Sequence, residues 1–190
     1  MKARNMGTVV WLTGLSGAGK STVAASLERY LTGLGLRAYV LDGDKLRAGL
    51  CSDLGFSDSD RQENIRRAGE AARMLVDAGV IVIAALISPF SSDRAGVRQR
   101  FGAGEFHEVY CACPLAVCER RDVKGLYRAA RAGRIPLFTG ITSPYEAPTD
   151  ADLVLHTAVE TAQESTARLI AFLRARGALP MAIDDAALAG

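Results

Sequence analysis

The sequence predicts an α/β fold: a three-layer sandwich in which helices cover both faces of a five-stranded, mainly parallel sheet. Two observations predict it. Short apolar, β-branched runs alternate along the chain with longer stretches whose apolar residues recur at helical spacing. A glycine-rich loop also joins the first such run to the first helical stretch, a junction used by parallel α/β proteins. At 190 residues the chain suits one domain, expected over 1–190, large enough to bury a core without disulfide or metal staples.

In order, Thr8 to Thr13 (TVVWLT) reads as the first strand, and a helical pattern with Val23, Leu27, Tyr30 and Leu31 begins near Lys20. Ala38 to Leu41 gives a second strand, ending at Asp42-Gly43-Asp44. Val80 to Ala85 gives a third, so continuously apolar that both of its faces should be covered. His107 to Cys111 and Leu153 to Leu155 are weaker fourth and fifth strands. Helices are expected at about Arg61 to Asp77, Ser92 to Arg100, Pro114 to Arg121 and Thr161 to Arg176. Lys124 to Pro148, rich in Gly, Arg and Pro and without a core-facing stripe, reads as a mobile lid over the substrate. Gly177 to Gly190 reads as a loosely held tail.

Hydrophobic residues make up 49% of the chain and charged residues 23%, with a net charge of +2. That is a globular composition, and scattered basic residues give no electrostatic footprint for nucleic acid. Met1 to Arg4 is followed by no apolar signal core, and the longest apolar run, Val80 to Ile87, is too short to span a bilayer. A cytoplasmic, freestanding protein without membrane attachment is expected. The cysteines at 51, 111, 113 and 118 show no metal-ligand spacing and read as buried thiols.

Gly14, Leu15, Ser16, Gly17, Ala18, Gly19, Lys20, Ser21 match the full G-x-x-x-x-G-K-[ST] pattern, between a strand and a helix as the motif requires. Glycines let backbone N–H groups turn inward around a β-phosphate, and the helix N-terminus adds its positive end. Lys20 would reach the β- and γ-phosphates, and the Ser21 hydroxyl would hold Mg2+. GTPases, motor ATPases and metabolite kinases share this loop. The absence of an N-K-x-D guanine-reading motif and the short chain favour a small-molecule kinase of P-loop nucleotide-kinase type.

Asp42-Gly43-Asp44 follows strand two, where the carboxyl ends of parallel strands converge on the ligand crevice. Paired carboxylates there could orient Mg2+ or accept a hydroxyl proton; the alternative is a solvated strand-end turn. On a helical wheel, Arg61 and Asn64 open the stripe continued by Ile65, Ala68, Ala72 and Leu75, so they point toward a ligand, while Arg66 and Arg67 point to solvent. Ser59 and Asp60, with Gln62 and Glu63, give capping signals that put the helix start close to Arg61.

Taken together, GLSGAGKST, DGDKLRAGL, DLGFSDSDRQENIRR, ISP, RDVKGLYRAARAG and FTGITSPYEAP, in that order between residues 14 and 148, resemble the adenylyl-sulfate kinase family. The resemblance implies transfer of the ATP γ-phosphate to the 3'-hydroxyl of adenosine 5'-phosphosulfate, with Mg2+, in sulfate activation. It implies that Gly14 to Ser21 with Thr22 and Arg121 bind the nucleotide. Arg47, Arg61 and Asn64 would bind the adenylyl sulfate, and Phe56 and Phe138 would sandwich its adenine. Asp44 would assist the 3'-hydroxyl or organise Mg2+ with Ser21, supported by Asp42. Ile87, Ser88, Lys124, Gly125, Leu126, Thr139 and Gly140 complete the expected substrate-binding set. Ser88 matches a serine recorded as a phosphoenzyme in parts of the family, although direct transfer is preferred here. Arg128 and Arg131 either reach nucleotide phosphates or are solvated. A homodimer is expected on the same ground, and a functional link to an ATP sulfurylase on another chain is left open beside the freestanding reading.

Departures from the family pattern are Lys45 for the usual Asn, Val123 for Pro, Phe90-Ser91 for Tyr-Arg and Thr142 for Asp. They bear on rate and fine specificity, and leave the phosphate loop and matched arginines intact. Two rivals stand beside this reading: a kinase for another metabolite, and a non-catalytic sensor of adenylyl sulfate. Phe56, Arg61, Asn64 and Phe138 argue against the first, Lys20, Ser21 and Asp44 against the second.

Overall fold

The computed structural model describes residues 7–180. Five strands, β1 (Thr8–Thr13), β2 (Ala38–Asp42), β3 (Ile81–Ala85), β4 (Phe106–Cys111) and β5 (Leu153–Leu155), form one sheet in the order β2-β3-β1-β4-β5. Every pairing is parallel. The helices are α1 (Lys20–Gly33), α2 (Gly43–Ala48), α3 (Asp58–Asp77), α4 (Ser91–Arg98), α5 (Leu115–Arg121), α6 (Leu126–Arg131) and α7 (Ala162–Ala175).

The central strand explains the layering. All six residues of β1 are buried, and alternate side chains enter opposite cores because strand side chains alternate between faces. Val10 and Leu12 pack with Leu27 and Leu31 of α1 and Leu169 and Leu173 of α7. Val9 and Trp11 pack with Ile65, Ala68 and Ala72 of α3 and Val97 of α4. Gly69 permits the α3–α4 approach: a Cβ there would lie 3.0 Å from a Val97 methyl carbon. Because β1 is flanked by β3 on one side and β4 on the other, the chain reverses its winding there. That switch point opens a crevice at the carboxyl ends of the strands.

The structure differs from the sequence expectation at four places. Helix α3 begins at Asp58, with Ser57 as its cap, not Ser59: the Ser57 hydroxyl accepts from the Asp60 N–H at 3.2 Å, and the Asp60 carboxylate accepts from the Ser57 N–H at 3.3 Å. The earlier serine makes the reciprocal box, so three more residues enter the helix. Asp42-Gly43-Asp44 is a helix start rather than a turn, since the Asp42 side chain accepts from Asp44 N at 2.9 Å and caps α2. Within the segment read as a lid lies α6, whose Tyr127 is buried. Its first N–H groups, on Tyr127 and Arg128, donate to the Asp122 carboxylate across Gly125 at 2.8 and 3.1 Å. Arg67 is not free in solvent; it donates to the Leu50 carbonyl at 2.9 Å and pairs with Asp53 and Glu63.

The four cysteines are free and buried. Of the expected tail, Leu179 is buried in the α1–α7 core; residues 181–190 lie outside the described residues. No helix among the described residues is long and apolar enough to cross a membrane.

Candidate active site

A cleft of about 1020 Å³ occupies the crevice. Its walls come from the loops after β1, β2 and β3, from residues 121–127 and 135–139, and from the 157–165 turn into α7. One end is built around the glycine loop and the other around the start of α3.

At the first end Gly14, Gly17 and Gly19 have φ of 148°, 74° and 88°, which L side chains rarely adopt. Gly14 is also sterically closed, since a Cβ would sit 2.8 Å from the Cys111 carbonyl oxygen. Ser16, Gly17, Gly19, Lys20, Ser21 and Thr22 line the cleft, whereas Ala18 is buried in the core and Leu15 packs against it. The Lys20 ammonium donates to the Gly14 and Leu15 carbonyls, each at 2.8 Å. Burial lowers its pKa from 10.5 to about 8.

Two residues brace this loop from outside. Arg121 donates to the Gly17 carbonyl at 3.1 Å and to the Thr157 carbonyl at 2.6 Å, fixing α5 to the loop and to the turn before α7. The buried Tyr127 hydroxyl donates to the Ser16 carbonyl at 2.9 Å. Its part in the site has no sequence signature, because the contact joins residues 111 positions apart.

Between the two ends stand the carboxylates. The one that meets the loop is Asp42: its Oδ2 accepts from the Ser21 hydroxyl at 3.0 Å while Oδ1 holds the start of α2. Asp44, exposed two residues further on, forms an ion pair with Lys124. No cluster of three or more His, Cys, Asp or Glu among the described residues could cage a metal. One hydroxyl with one or two carboxylates nevertheless suits Mg2+, which keeps most of its waters and completes its shell with nucleotide phosphates.

At the far end the α3 start brings its polar residues inward, as the wheel predicts: Arg61 and Asn64 are buried. Arg61 donates to the carbonyls of Phe56, at 3.1 Å, and Leu137. Arg47 donates to the Gly55 carbonyl at 2.8 Å. Both guanidinium groups lie over the half-exposed Phe56 ring, 4.2 Å (Arg47) and 5.7 Å (Arg61) from its centroid. Phe138 lines the same cleft and meets Tyr127 edge-on at 5.0 Å. Two buried polar atoms here have no partner among the described residues: Asn64 Oδ1 and Thr139 Oγ1. A buried unpaired polar group costs about 1–3 kcal/mol, so such atoms facing a cleft point to a polar ligand.

Ile87, Leu126 and Lys124 also line the cleft. Gly125, with φ 68°, caps α6. Gly140 faces the other way: its added Cβ would meet Leu15 at 3.0 Å and Leu115 at 3.2 Å, so it serves the turn behind the loop rather than the cleft wall. Ser88 is 1% exposed, and its hydroxyl accepts from the Trp11 indole N–H at 3.2 Å. Arg131 pairs with Glu119 instead of reaching the cleft.

The family model for adenylylsulphate kinase matches residues 6–156. An adenylyl-sulfate kinase of Bacillus pumilus is 57% identical over 166 residues, which are 87% of this chain and 84% of that protein. One from Geotalea daltonii is 56% identical over 169 residues, 89% of this chain and 83% of that protein. Among solved structures, the APS kinase of Mycobacterium tuberculosis in complex with AMPPNP and APS superposes with a TM-score of 0.85 at 50% identity, covering 89% of this chain and 98% of that one. The loop, the strand order and these matches agree: this chain belongs to the adenylylsulphate kinase family.

Proposed function

We propose that the chain transfers the γ-phosphoryl group of ATP to the 3'-hydroxyl of adenosine 5'-phosphosulfate, giving ADP and 3'-phosphoadenosine 5'-phosphosulfate. The observation that supports this most is a single cleft with two differently built ends. One is a phosphate loop with a buried lysine; the other holds two arginines over an aromatic ring beside the unpartnered Asn64 Oδ1 and Thr139 Oγ1.

In this account the loop N–H groups and Lys20 hold the triphosphate, and the γ-phosphorus faces the acceptor on the side opposite the β–γ bridging oxygen. Arg47 and Arg61 fork onto the phosphosulfate oxygens, and Phe56 and Phe138 flank the adenine. The 3'-hydroxyl oxygen attacks the γ-phosphorus, the bridging oxygen leaves with ADP, and Asp44 orients the hydroxyl and takes its proton. Phosphoryl transfer depends chiefly on such positioning and on charge neutralisation. Ser21 and Asp42, with Asp44, are the residues that would hold Mg2+, which neutralises phosphate charge when bound. Ser88, buried against Trp11, shapes the wall, and transfer is direct. Residues 124–126, tethered through Lys124 to Asp44, are the part of the 124–148 segment that opens to admit substrate.

The enzyme works as a cytoplasmic homodimer supplied by an ATP sulfurylase; sizing in solution tests the first of these. The activity itself is tested by ADP release with Mg-ATP and either adenosine 5'-phosphosulfate or AMP. Turnover with the sulfated acceptor, abolished in Lys20→Ala, is expected; equal turnover with AMP would assign a different acceptor class.

A further inference from the structure

Behind the acceptor wall lies a polar group with no part in the scheme above. The Arg94 side chain is 2% exposed and that of Glu108, on β4, 8%. Arg94 Nε donates to Glu108 Oε1 at 2.7 Å. An arginine kept only to neutralise Glu108 would need no more than this. Its other two arms reach main-chain carbonyls: Nη1 donates to Ser88 O and Nη2 to Glu146 O, both at 2.8 Å.

Those carbonyls belong to two separate cleft segments. Ser88 sits in the Ile87-Ser88-Pro89 wall with φ 40°, a conformation costing about 1 kcal/mol or more for an L side chain and kept only when its surroundings fix it. Glu146 ends the stretch that carries Phe138 and Thr139. The two segments are tied directly as well: Glu146 N–H donates to Pro89 O at 2.8 Å, and the Glu146 carboxylate accepts from Ser91 N and Oγ at 2.7 and 2.6 Å. Strand β1 supplies the floor, with the Thr13 hydroxyl donating to Ile87 O at 2.7 Å and the Trp11 indole donating to Ser88 Oγ at 3.2 Å. Glu108 is itself fixed, since its N–H donates to Asp152 at 2.8 Å and its second oxygen accepts from Arg98 at 3.4 Å.

We infer that the Arg94–Glu108 pair is a positioning device for the acceptor end: Arg94 fixes the Ser88 turn and the 138–146 segment at one spacing, and so sets affinity for adenylyl sulfate but not for ATP. The inference rests on the activity proposed above for its ligand, and on the wall geometry alone for its structural half.

The test uses the full chain and two variants. Arg94→Met/Glu108→Leu removes both charges, so Glu108 is not left buried without its partner. Arg94→Lys keeps the charge but cannot supply the three-armed fork. Trp11 is the chain's single tryptophan, so its emission reports the Ser88 turn, and calorimetry gives affinities for ATP and adenylyl sulfate without turnover. Both folded variants should show shifted Trp11 emission, adenylyl sulfate binding weakened about tenfold (about 1.4 kcal/mol) and ATP binding within about twofold of wild type. Should the double variant not fold, Arg94→Lys decides alone. Wild-type emission with wild-type adenylyl sulfate affinity in a folded variant would overturn the inference, as would equal losses for both ligands. A wild-type protein that bound no adenylyl sulfate would instead remove the assigned activity, and the Trp11 emission of the variants would still decide whether Arg94 holds the turn.

Discussion

Lys20 should take up a proton when nucleotide binds. Its ammonium is buried against its own loop, and burial lowers its pKa from 10.5 to about 8. A triphosphate lodged against it favours the charged form and restores a value near 10.5 or above. Near pH 8.5 the free lysine is then about one-quarter protonated and the bound one almost fully, an uptake of about 0.75 proton per nucleotide; near pH 7 the uptake falls to about 0.1. The two thiols that act on Lys20 do not blur this window. Burial pushes the Cys111 thiol to about 11 and Cys118 to about 12, and lifts the Tyr127 phenol above its usual range. All three stay protonated, and added negative charge only raises them further. Titration of ATP into the protein by calorimetry, in buffers of different ionisation enthalpy, reads the uptake as a slope. A slope near zero at pH 8.5 in the wild type would show that Lys20 takes up no proton, as would an unchanged slope in Lys20→Met. The same shift fixes a sign for the free protein. Lys20's own contribution to stability rises between about pH 8 and 10.5, because the lysine binds more proton in the unfolded chain than in the folded one; the raised Cys111, Cys118 and Tyr127 contribute in the opposite sense as pH climbs past 9.

Tyr127→Phe deletes the hydroxyl that holds Ser16; it should cost about 1 kcal/mol of stability and weaken ATP binding several-fold, read by thermal unfolding and titration, while adenylyl sulfate binding holds. Thr139→Val removes a buried hydroxyl that has no partner, so the free protein should gain about 1 kcal/mol while affinity for adenylyl sulfate drops. A variant weakened in both would show that Thr139 is a packing residue. Gly14→Ala places a methyl 2.8 Å from a backbone oxygen at φ 148°. It should abolish ATP binding and lower the melting temperature, and wild-type ATP affinity in that variant would count against the described loop.

The strands were legible as short runs, most clearly β1 and β3, in which every residue is buried, and least in β4, which carries His107 and Glu108. The phosphate loop was legible because its chemistry is local: glycines, one lysine and one hydroxyl at fixed spacing. Arg61 and Asn64 were legible because a helix fixes direction from spacing alone. What escaped depends on contacts between distant residues. Helix α2 hides behind Asp42, which ends a strand, caps a helix and accepts from Ser21 at once. Helix α6 is only six residues long and takes its N-terminal acceptor from Asp122, beyond Gly125. The wheel turned Arg67 outward correctly, but nothing in it shows that the 50–53 turn lies within reach. Arg94 carries no signal in the sequence; only its burial against Glu108 marks it.

The activity is defined by where the phosphate goes. The direct measurement is phosphorus–proton correlation NMR on the product isolated after incubation with Mg-ATP and adenosine 5'-phosphosulfate. A new phosphorus resonance coupled to the ribose H3', with the phosphosulfate intact and one ADP formed per product, is the predicted result. A phosphate on any other position, or ADP formed without a new phosphate ester, would contradict the account.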